Sequence, residues 1–476
     1  MYISNLNDTA VSLSGILILV FLIVVTRRAT KRSILCLYFF SVVFAIQYFV
    51  TICIVTMLGS WSSFVLSPQE VGTSLKYAAI SGMSVAFGYF ISTYSENARG
   101  RKIRSKSHGY QWAKNWRKNF SQDQAFRVSI LSAFLVMILI LAETAWNEGT
   151  LTGAFYSSMT RGEEQFDDRH FMDVFVGIAF SLSWVIGLYG AFRCGQILVN
   201  VSAGSKLLRL PLVVILLTLL SAPFLFSFSR ASGAGFIICA TAIYLFRRNK
   251  ETVWPLIMLF LLGGLYLSLI GISQRFDGQM GLAVFFARAI SPDSFGFDWF
   301  FEVQGSVRVL TANINFLDAL GPLSASIHYS GNNETGVFQG FVWLLGILQP
   351  LPSFLLQIDY RPGASLSEAL GTYGSTGITT PALGELHYLL GNWGTIPLFL
   401  FGVFLRSTDR FSEQKGAVPI FVLVLVLASV VVSGHSGIRA FARPATTAAI
   451  LMFLYSHSFK IGKYRLDLRS RQKSKP

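Results

Sequence analysis

Charge is scarce in this chain. Only 13% of its 476 residues are Asp, Glu, Lys or Arg, against 53% hydrophobic, and the mean hydropathy is +0.54. A soluble domain carries about twice that share of charge, so a soluble globular class is excluded and counting domains by length does not apply. Cysteine is scarcer still. The four, Cys36, Cys53, Cys194 and Cys239, lie in or beside apolar runs without metal-ligand spacing, so neither a disulfide framework nor a metal site is implied. Nucleotide and hydrolase signatures are also missing: there is no Walker A loop, HExxH, nucleotide fold or GxSxG. Chemistry driven by ATP or a nucleotide sugar is therefore unsupported. A cleavable signal sequence is not expected either. The first apolar run, Ala10 to Val25, has no basic residue before it and Arg27, Arg28, Lys31 and Arg32 after it, the reverse of a signal's order.

What is present is a series of apolar runs near spanning length. They fall at 10–25, 34–58, 76–95, 128–146, 171–192, 210–228, 231–246, 253–271, 384–405, 417–434 and 441–458. The expected fold class is an all-α polytopic membrane protein with about 11 transmembrane helices and one long loop on the outside. Residues 1–271 hold spans one to eight, with a basic cytoplasmic loop at 96–127. Residues 272–383 form the long outside loop, 384–459 hold spans nine to eleven, and 460–476 are a basic tail.

Charge bias orients these spans. Segments assigned to the inside hold 29 of the 39 Lys and Arg but only six acids, a net of +23 against −8 for the rest. An outside N-terminus, an odd number of spans and a basic inside C-terminus are mutually consistent. The basic run RGRKIRSK (99–106) reads as an orienting loop beside membrane lipid, and no nucleic-acid partner is expected.

The ten basic residues assigned outside are nine arginines and Lys76; the arginines include Arg161, Arg169, Arg230, Arg275, Arg288, Arg308, Arg361, Arg439 and Arg443. Arg230 stands 17 residues before the RRNK cluster (Arg247, Arg248, Lys250), about 25 Å along a helix, at the face where positive charge is normally sparse. Arginine's planar fork grips phosphate bidentately and keeps its charge beside a bilayer. A set so biased points to an anionic phosphate ligand, or else to pairing with the 18 acids on the same side. Arg439 and Arg443, four apart in SGHSGIRAFARPATT (433–447), share one face if that stretch is helical. With Arg230 they are candidates for one phosphate site.

The loop at 272–383 is too long for a passive connection. Its apolar runs LAVFFARAI (282–290) and FVWLLGILQ (341–349) are too short to span and fit interfacial or re-entrant elements, or a lid packed on the bundle. Aromatic and amide groups such as Trp299, Asn313, Asn332 and Trp343 suit a glycan, or equally an interfacial belt. The acidic stretch EEQFDDRH (163–170) reads as a solvated loop, and no cofactor or metal is expected. In TPALGELHYLLGNWG (380–394), Glu385 and His387 sit at the outside mouth of the ninth span. A carboxylate there is costly unless it is paired or has a task. Glu385 is the first candidate for a general base, or for a salt bridge with an arginine; His387, two residues on and facing away, is the second.

Four features in order resemble the bacterial oligosaccharide repeat-unit polymerases, the Wzy family that includes O-antigen and enterobacterial common antigen polymerases. SRA (229–231) precedes an apolar span. SQRF places Arg275 after the next one. The long loop ends in PALGELHYLLGNWG, a P-x-x-G-E-like turn before a Gly-rich helix. The last short loop carries Arg439 and Arg443. FARAISPDSF (286–295) with Arg288 is a further likeness, and the resemblance covers roughly residues 210–460. Among the arginines assigned outside, no clean R-x10-G repeat occurs; the nearest pair, Arg361 and Gly371, is one residue short.

The resemblance implies a GT-C-like enzyme of the bacterial inner membrane, with N-terminus periplasmic, C-terminus cytoplasmic and active site on the periplasmic face. Its partners would be an undecaprenyl-pyrophosphate-linked glycan donor and acceptor, and a chain-length regulator protein. A hydroxyl of the acceptor would attack the donor's anomeric carbon, with lipid pyrophosphate leaving. Arg230, Arg275, Arg439 and Arg443 would hold the pyrophosphate, supported by Arg288 and Arg361, with Glu385 or His387 as base. Two alternatives stay open: an O-antigen ligase transferring the glycan to lipid A core, and a lipid-linked oligosaccharide transporter. The H-x10-G spacing of the ligases is not met by His328, His387 or His435. The one-sided arginines and the lack of an internal repeat favour an enzyme over a transporter.

Overall fold

The computed structural model describes residues 34–50, 68–98, 122–148, 171–199, 203–221, 233–246, 253–277, 319–330, 337–348, 381–414, 417–433 and 438–473, together with positions 20 and 24. Among the described residues all regular structure is helical. In chain order the helices are α1 Leu35–Ala45, continued by a π-helical turn Ile46–Val50; α2 Pro68–Ala98; α3 Gln122–Glu148; α4 Phe171–Val199; α5 Ala203–Leu220; α6 Ala234–Phe246; and α7 Trp254–Asp277. They continue with α8 Leu320–Ser330; α9 Val337–Leu348; α10 Ala382–Leu390, followed by a 3-10 turn Gly391–Gly394; α11 Thr395–Ser412; α12 Ala417–Val432; and α13 Ile438–Lys473. Apolar runs with little Pro or charge make these helices, because in lipid every backbone polar group must bond within its own segment.

Three stretches among the described residues are long and apolar enough to cross a membrane: Asp123–Leu141, Leu182–Val199 and Ala382–Ser412. Five further apolar helices are shorter. Burial is inverted relative to a protein folded in water. Phe134, Phe453 and Leu262 are 63%, 61% and 64% exposed, whereas Glu385, Arg406 and Asp409 are buried. An apolar exterior around paired polar groups suits a lipid solvent.

The chain divides into two compact units, Ala113–Ser306 and the remainder, Met1–Trp112 with Val307–Pro476. In the Ala113–Ser306 unit, α4 runs antiparallel to α3: Ser129 Oγ lies 3.3 Å from the Gly190 carbonyl, while Gly187 faces Val136. Helix α6 lies parallel to α4, with Gly235 against Ala191 and Gly195 against Ala242. Helix α7 is antiparallel to α6, pairing Tyr244 with Trp254 and Phe236 with Phe260.

In the other unit, α11 is central. Helix α2 runs parallel to it, from Tyr77 beside Gly394 to Glu96 beside Arg406. Helix α13 is also parallel, pairing Phe441 with Phe401 and Tyr455 with Phe411. Helix α1 is antiparallel, with Cys36 at Asp409 and Phe40 at Phe401. The Gln47 amide donates to the Val431 carbonyl at 3.0 Å, which sets the end of α1 beside the end of α12. In both units, then, helices expected to run in the same direction pack parallel, and those expected to run oppositely pack antiparallel.

At one end of α11 a buried charge cluster joins three helices. Arg406 Nη2 stands 3.0 Å from Glu96 Oε2, and Arg410 Nη1 3.5 Å from Glu96 Oε1. Asp409 accepts the Tyr89 hydroxyl at 2.6 Å and the Cys36 N–H at 3.1 Å. Cys36 is the second residue of α1, so the carboxylate satisfies one of that helix's free first-turn amides. Cys36, Cys194 and Cys239 are buried free thiols.

Backbone approach explains two glycines between α2 and α11. A Cβ on Gly88 would collide with the Phe399 carbonyl, and one on Gly402 with the Val85 carbonyl. Gly→Ala inside a helix ordinarily gains about 1 kcal/mol. Here the sign should reverse. Gly402→Ala is expected to cost roughly 1–3 kcal/mol, because a backbone carbonyl cannot yield as a side chain can. Thermal unfolding in detergent should show a lower midpoint; a raised one would contradict the close approach.

Candidate active site

The other end of the same unit gathers polar groups around α10. This helix is short because its C-terminal residue is followed by Gly391 at φ +56°, a backbone conformation that favours glycine. Its nine residues, ALGELHYLL, present polar side chains in opposite directions. Glu385 turns toward α13 and His387 toward α8 and α2.

Glu385 is 7% exposed. Its Oε2 accepts the Ile438 N–H at 2.7 Å. Ile438 opens α13, so this is another orphan helix amide met by a buried carboxylate. Among the described residues the partner of Glu385 is that amide rather than an arginine. The Ala382 N–H donates to the Ser433 carbonyl at 3.0 Å.

His387 is half-buried, and its surroundings define a tautomer. The Ser330 hydroxyl donates to the Ile327 carbonyl at 2.7 Å. Ser330 Oγ also lies 2.8 Å from His387 Nδ1. A hydroxyl has one proton, so both contacts are met together when Ser330 donates to Ile327 and accepts from the imidazole. In a neutral ring that arrangement puts the proton on Nδ1 and the lone pair on Nε2. The Tyr77 ring meets the imidazole edge-on, with centroids 4.6 Å apart and planes at 85°, which fixes the ring's orientation. An imidazole held by Nδ1–H with Nε2 unprotonated has the form that a general base requires.

Two loop helices support this end. Helix α8, LGPLSASIHYS, is buried along most of its length and supplies Ser330. Its approach is tied to α1, since the Ala319 N–H donates to the Gln47 carbonyl at 3.3 Å. Helix α9 covers most of the 341–349 run and packs Gly340 against the backbone of Leu389.

The candidate residues fall as follows. Glu385 and His387 both lie on α10, two residues apart and facing opposite ways. Arg443 is exposed on α13, and Arg439 belongs to the first turn of that helix, though its side chain lies outside the described residues. Arg275 is near the end of α7, also without a described side chain. Arg230, Arg288, Arg361, His435 and the stretch 163–170 lie outside the described residues. Among the described residues, no three His, Cys, Asp or Glu come together as metal ligands. Sequence reasoning missed Ser330 and Tyr77. Nothing in the spacing of LGPLSASIHYS or VGTSLKY pointed to His387, because each contact joins segments far apart in the chain.

No family model, curated protein or solved structure matches the chain.

Proposed function

We propose that this protein is a glycosyltransferase polymerising lipid-linked oligosaccharide repeat units at the periplasmic face of a bacterial inner membrane. The donor is a chain on undecaprenyl pyrophosphate, and the acceptor is a single unit on the same lipid. The acceptor hydroxyl attacks the donor's anomeric carbon, the bond from that carbon to the pyrophosphate oxygen breaks, and the hydroxyl proton passes to a base. The pyrophosphate leaves, stabilised by arginine guanidinium groups in place of a metal. A fold of about 11 spans in a GT-C-like arrangement, with the Glu385 end periplasmic and the Arg406 end cytoplasmic, belongs to this reading. So does a chain-length regulator as partner.

One observation carries it. Two of the stretches that resemble repeat-unit polymerases, 381–394 and 433–443, are some 50 residues apart in sequence. They are bonded to each other at Ala382–Ser433 and Glu385–Ile438. A buried carboxylate, an oriented imidazole and an arginine-bearing helix start thus share one end of one unit. The parallel and antiparallel packing agrees with alternating spans and further supports the topology.

The test uses purified protein with an undecaprenyl-pyrophosphate-linked repeat unit, without nucleotide, metal or lipid A. A ladder of longer lipid-linked glycans is the expected product. Transfer only after lipid A is added would make the protein a ligase, and binding without any covalent change would make it a transporter. In the same assay Arg439→Ala is expected to slow elongation by ~10²–10³, the usual cost of removing one electrostatic stabiliser. A folded Arg439→Ala protein with a wild-type ladder would remove that arginine from the pyrophosphate site.

A further inference from the structure

The link between α12 and α13 is held at both ends by one turn of α10. At its start, the Ser433 carbonyl takes the Ala382 N–H at 3.0 Å. At its finish, the Ile438 N–H is taken by Glu385 Oε2 at 2.7 Å. Ala382 and Glu385 are three residues apart, so a single helical turn fixes where α12 stops and where α13 begins. Arg439 follows Ile438 directly, and Arg443 comes one turn later.

From this geometry we propose that Glu385 is a positioning residue. Its carboxylate sets the first turn of α13, and so the placement of Arg439 and Arg443 for a pyrophosphate group, and it takes no proton in the reaction. The ligand in this statement rests on the polymerase reading; the clasp itself does not. Three features support it. Glu385 is buried, so an attacking hydroxyl has poor access. The oxygen Oε2 is engaged by a helix-terminal amide, where a negative charge is also favoured by the helix dipole. Two residues away, His387 has a ring oriented by Ser330 at Nδ1, which in the neutral form leaves the Nε2 lone pair that proton acceptance requires. The first role needs only an acceptor oxygen at that distance, which a glutamine amide supplies. A general base needs a carboxylate, which glutamine lacks. The two roles therefore predict opposite results for one substitution.

The experiment compares wild type, Glu385→Gln and Glu385→Ala as full chains in nanodiscs. Amide hydrogen exchange is followed over residues 438–443, binding of undecaprenyl pyrophosphate is titrated, and the pH profile of ladder formation is recorded. Glu385→Gln should match wild type in exchange and binding, and keep both the rate within a few fold and the shape of the pH profile. Glu385→Ala should exchange faster and bind more weakly by roughly 2- to 30-fold, the range for losing a helix-start acceptor. The proposal is overturned if Glu385→Gln loses the ladder by ~10² or more, as a missing base would, or if Glu385→Ala leaves exchange at 438–443 unchanged. Should Glu385→Ala fail to fold, the Glu385→Gln rate and exchange still decide. Should wild type form no ladder, the polymerase reading fails, while the exchange comparison still judges the clasp.

Discussion

His387→Ala is expected to slow elongation by ~10²–10⁴ while the lipid-linked donor still binds within a few fold of wild type. That range is the usual contribution of a positioned general base. The prediction follows from the one proton on the Ser330 hydroxyl. When it goes to the Ile327 carbonyl, a neutral imidazole donates from Nδ1 and keeps the lone pair on Nε2. Ser330→Ala should then lower the rate less than His387→Ala, since it removes the group that selects the tautomer but leaves the base. Tyr77→Leu keeps bulk against the ring but loses the edge-on contact, and should fall between wild type and His387→Ala. The rates are read from single-turnover elongation of the lipid-linked unit, with donor binding titrated separately. A His387→Ala protein that elongates at the wild-type rate would remove His387 from the chemistry, and with it the base assigned here.

Glu96→Ala is expected to be the most destabilising single change at the opposite end of the unit. Arg406 is 1% exposed and lies 3.0 Å from Glu96. Deleting the carboxylate leaves a guanidinium buried with its nearest anion removed. Breaking a buried pair from one side costs ~3–5 kcal/mol. Arg410 loses the same carboxylate but is 39% exposed, so solvent limits its loss. The double variant Glu96→Ala with Arg406→Met should recover part of the deficit, because an apolar side chain of similar length fills the site without a charge to desolvate. Full recovery is not expected. Arg406 also lies 5.7 Å from the centroid of the Tyr89 ring, whose hydroxyl bonds Asp409. Thermal unfolding of the three proteins in one detergent measures the cycle. A double variant less stable than Glu96→Ala would mean that Arg406 acts mainly through Tyr89 and Asp409.

Much of the helical layout was legible before any coordinates. The runs at 76–95, 128–146, 253–271 and 417–434 each lie within, or within two residues of, a described helix, in α2, α3, α7 and α12. The relative directions expected from loop charge agree with the packing within each unit, α2 and α13 parallel to α11 and α1 antiparallel to it. The run expected as the ninth span, 384–405, was less simple. It divides into α10, a 3-10 turn and α11 at Gly391, a break that average hydropathy does not register. Helix α8 was not foreseen at all. LGPLSASIHYS is neither strongly apolar nor strongly amphipathic, and it is helical where it packs on α2 and α10.

The candidate site was legible only as residue types. Glu385 and His387 stood out because a carboxylate and an imidazole at the edge of an apolar helix demand a reason. Their partners were hidden. Ser330 is 57 residues from His387, and Ile438 is 53 from Glu385. The partner of Glu385 is moreover a backbone amide, which every residue but proline possesses and no motif can mark.

What the sequence by itself determined is what solvation determines. Apolar length sets which segments become helices, and the placement of Lys and Arg sets which way each one is expected to run. Both are local properties, summed over a segment without reference to any other. Only the tertiary structure decided which buried polar group meets which. Glu385 at the start of α13, Asp409 at the start of α1, His387 on Ser330 and Arg406 on Glu96 each depend on the axial register of two helices to within a fraction of a turn. That register is set by close packing, including the backbone contacts at Gly88 and Gly402, and close packing is a property of pairs of surfaces that neither segment carries alone.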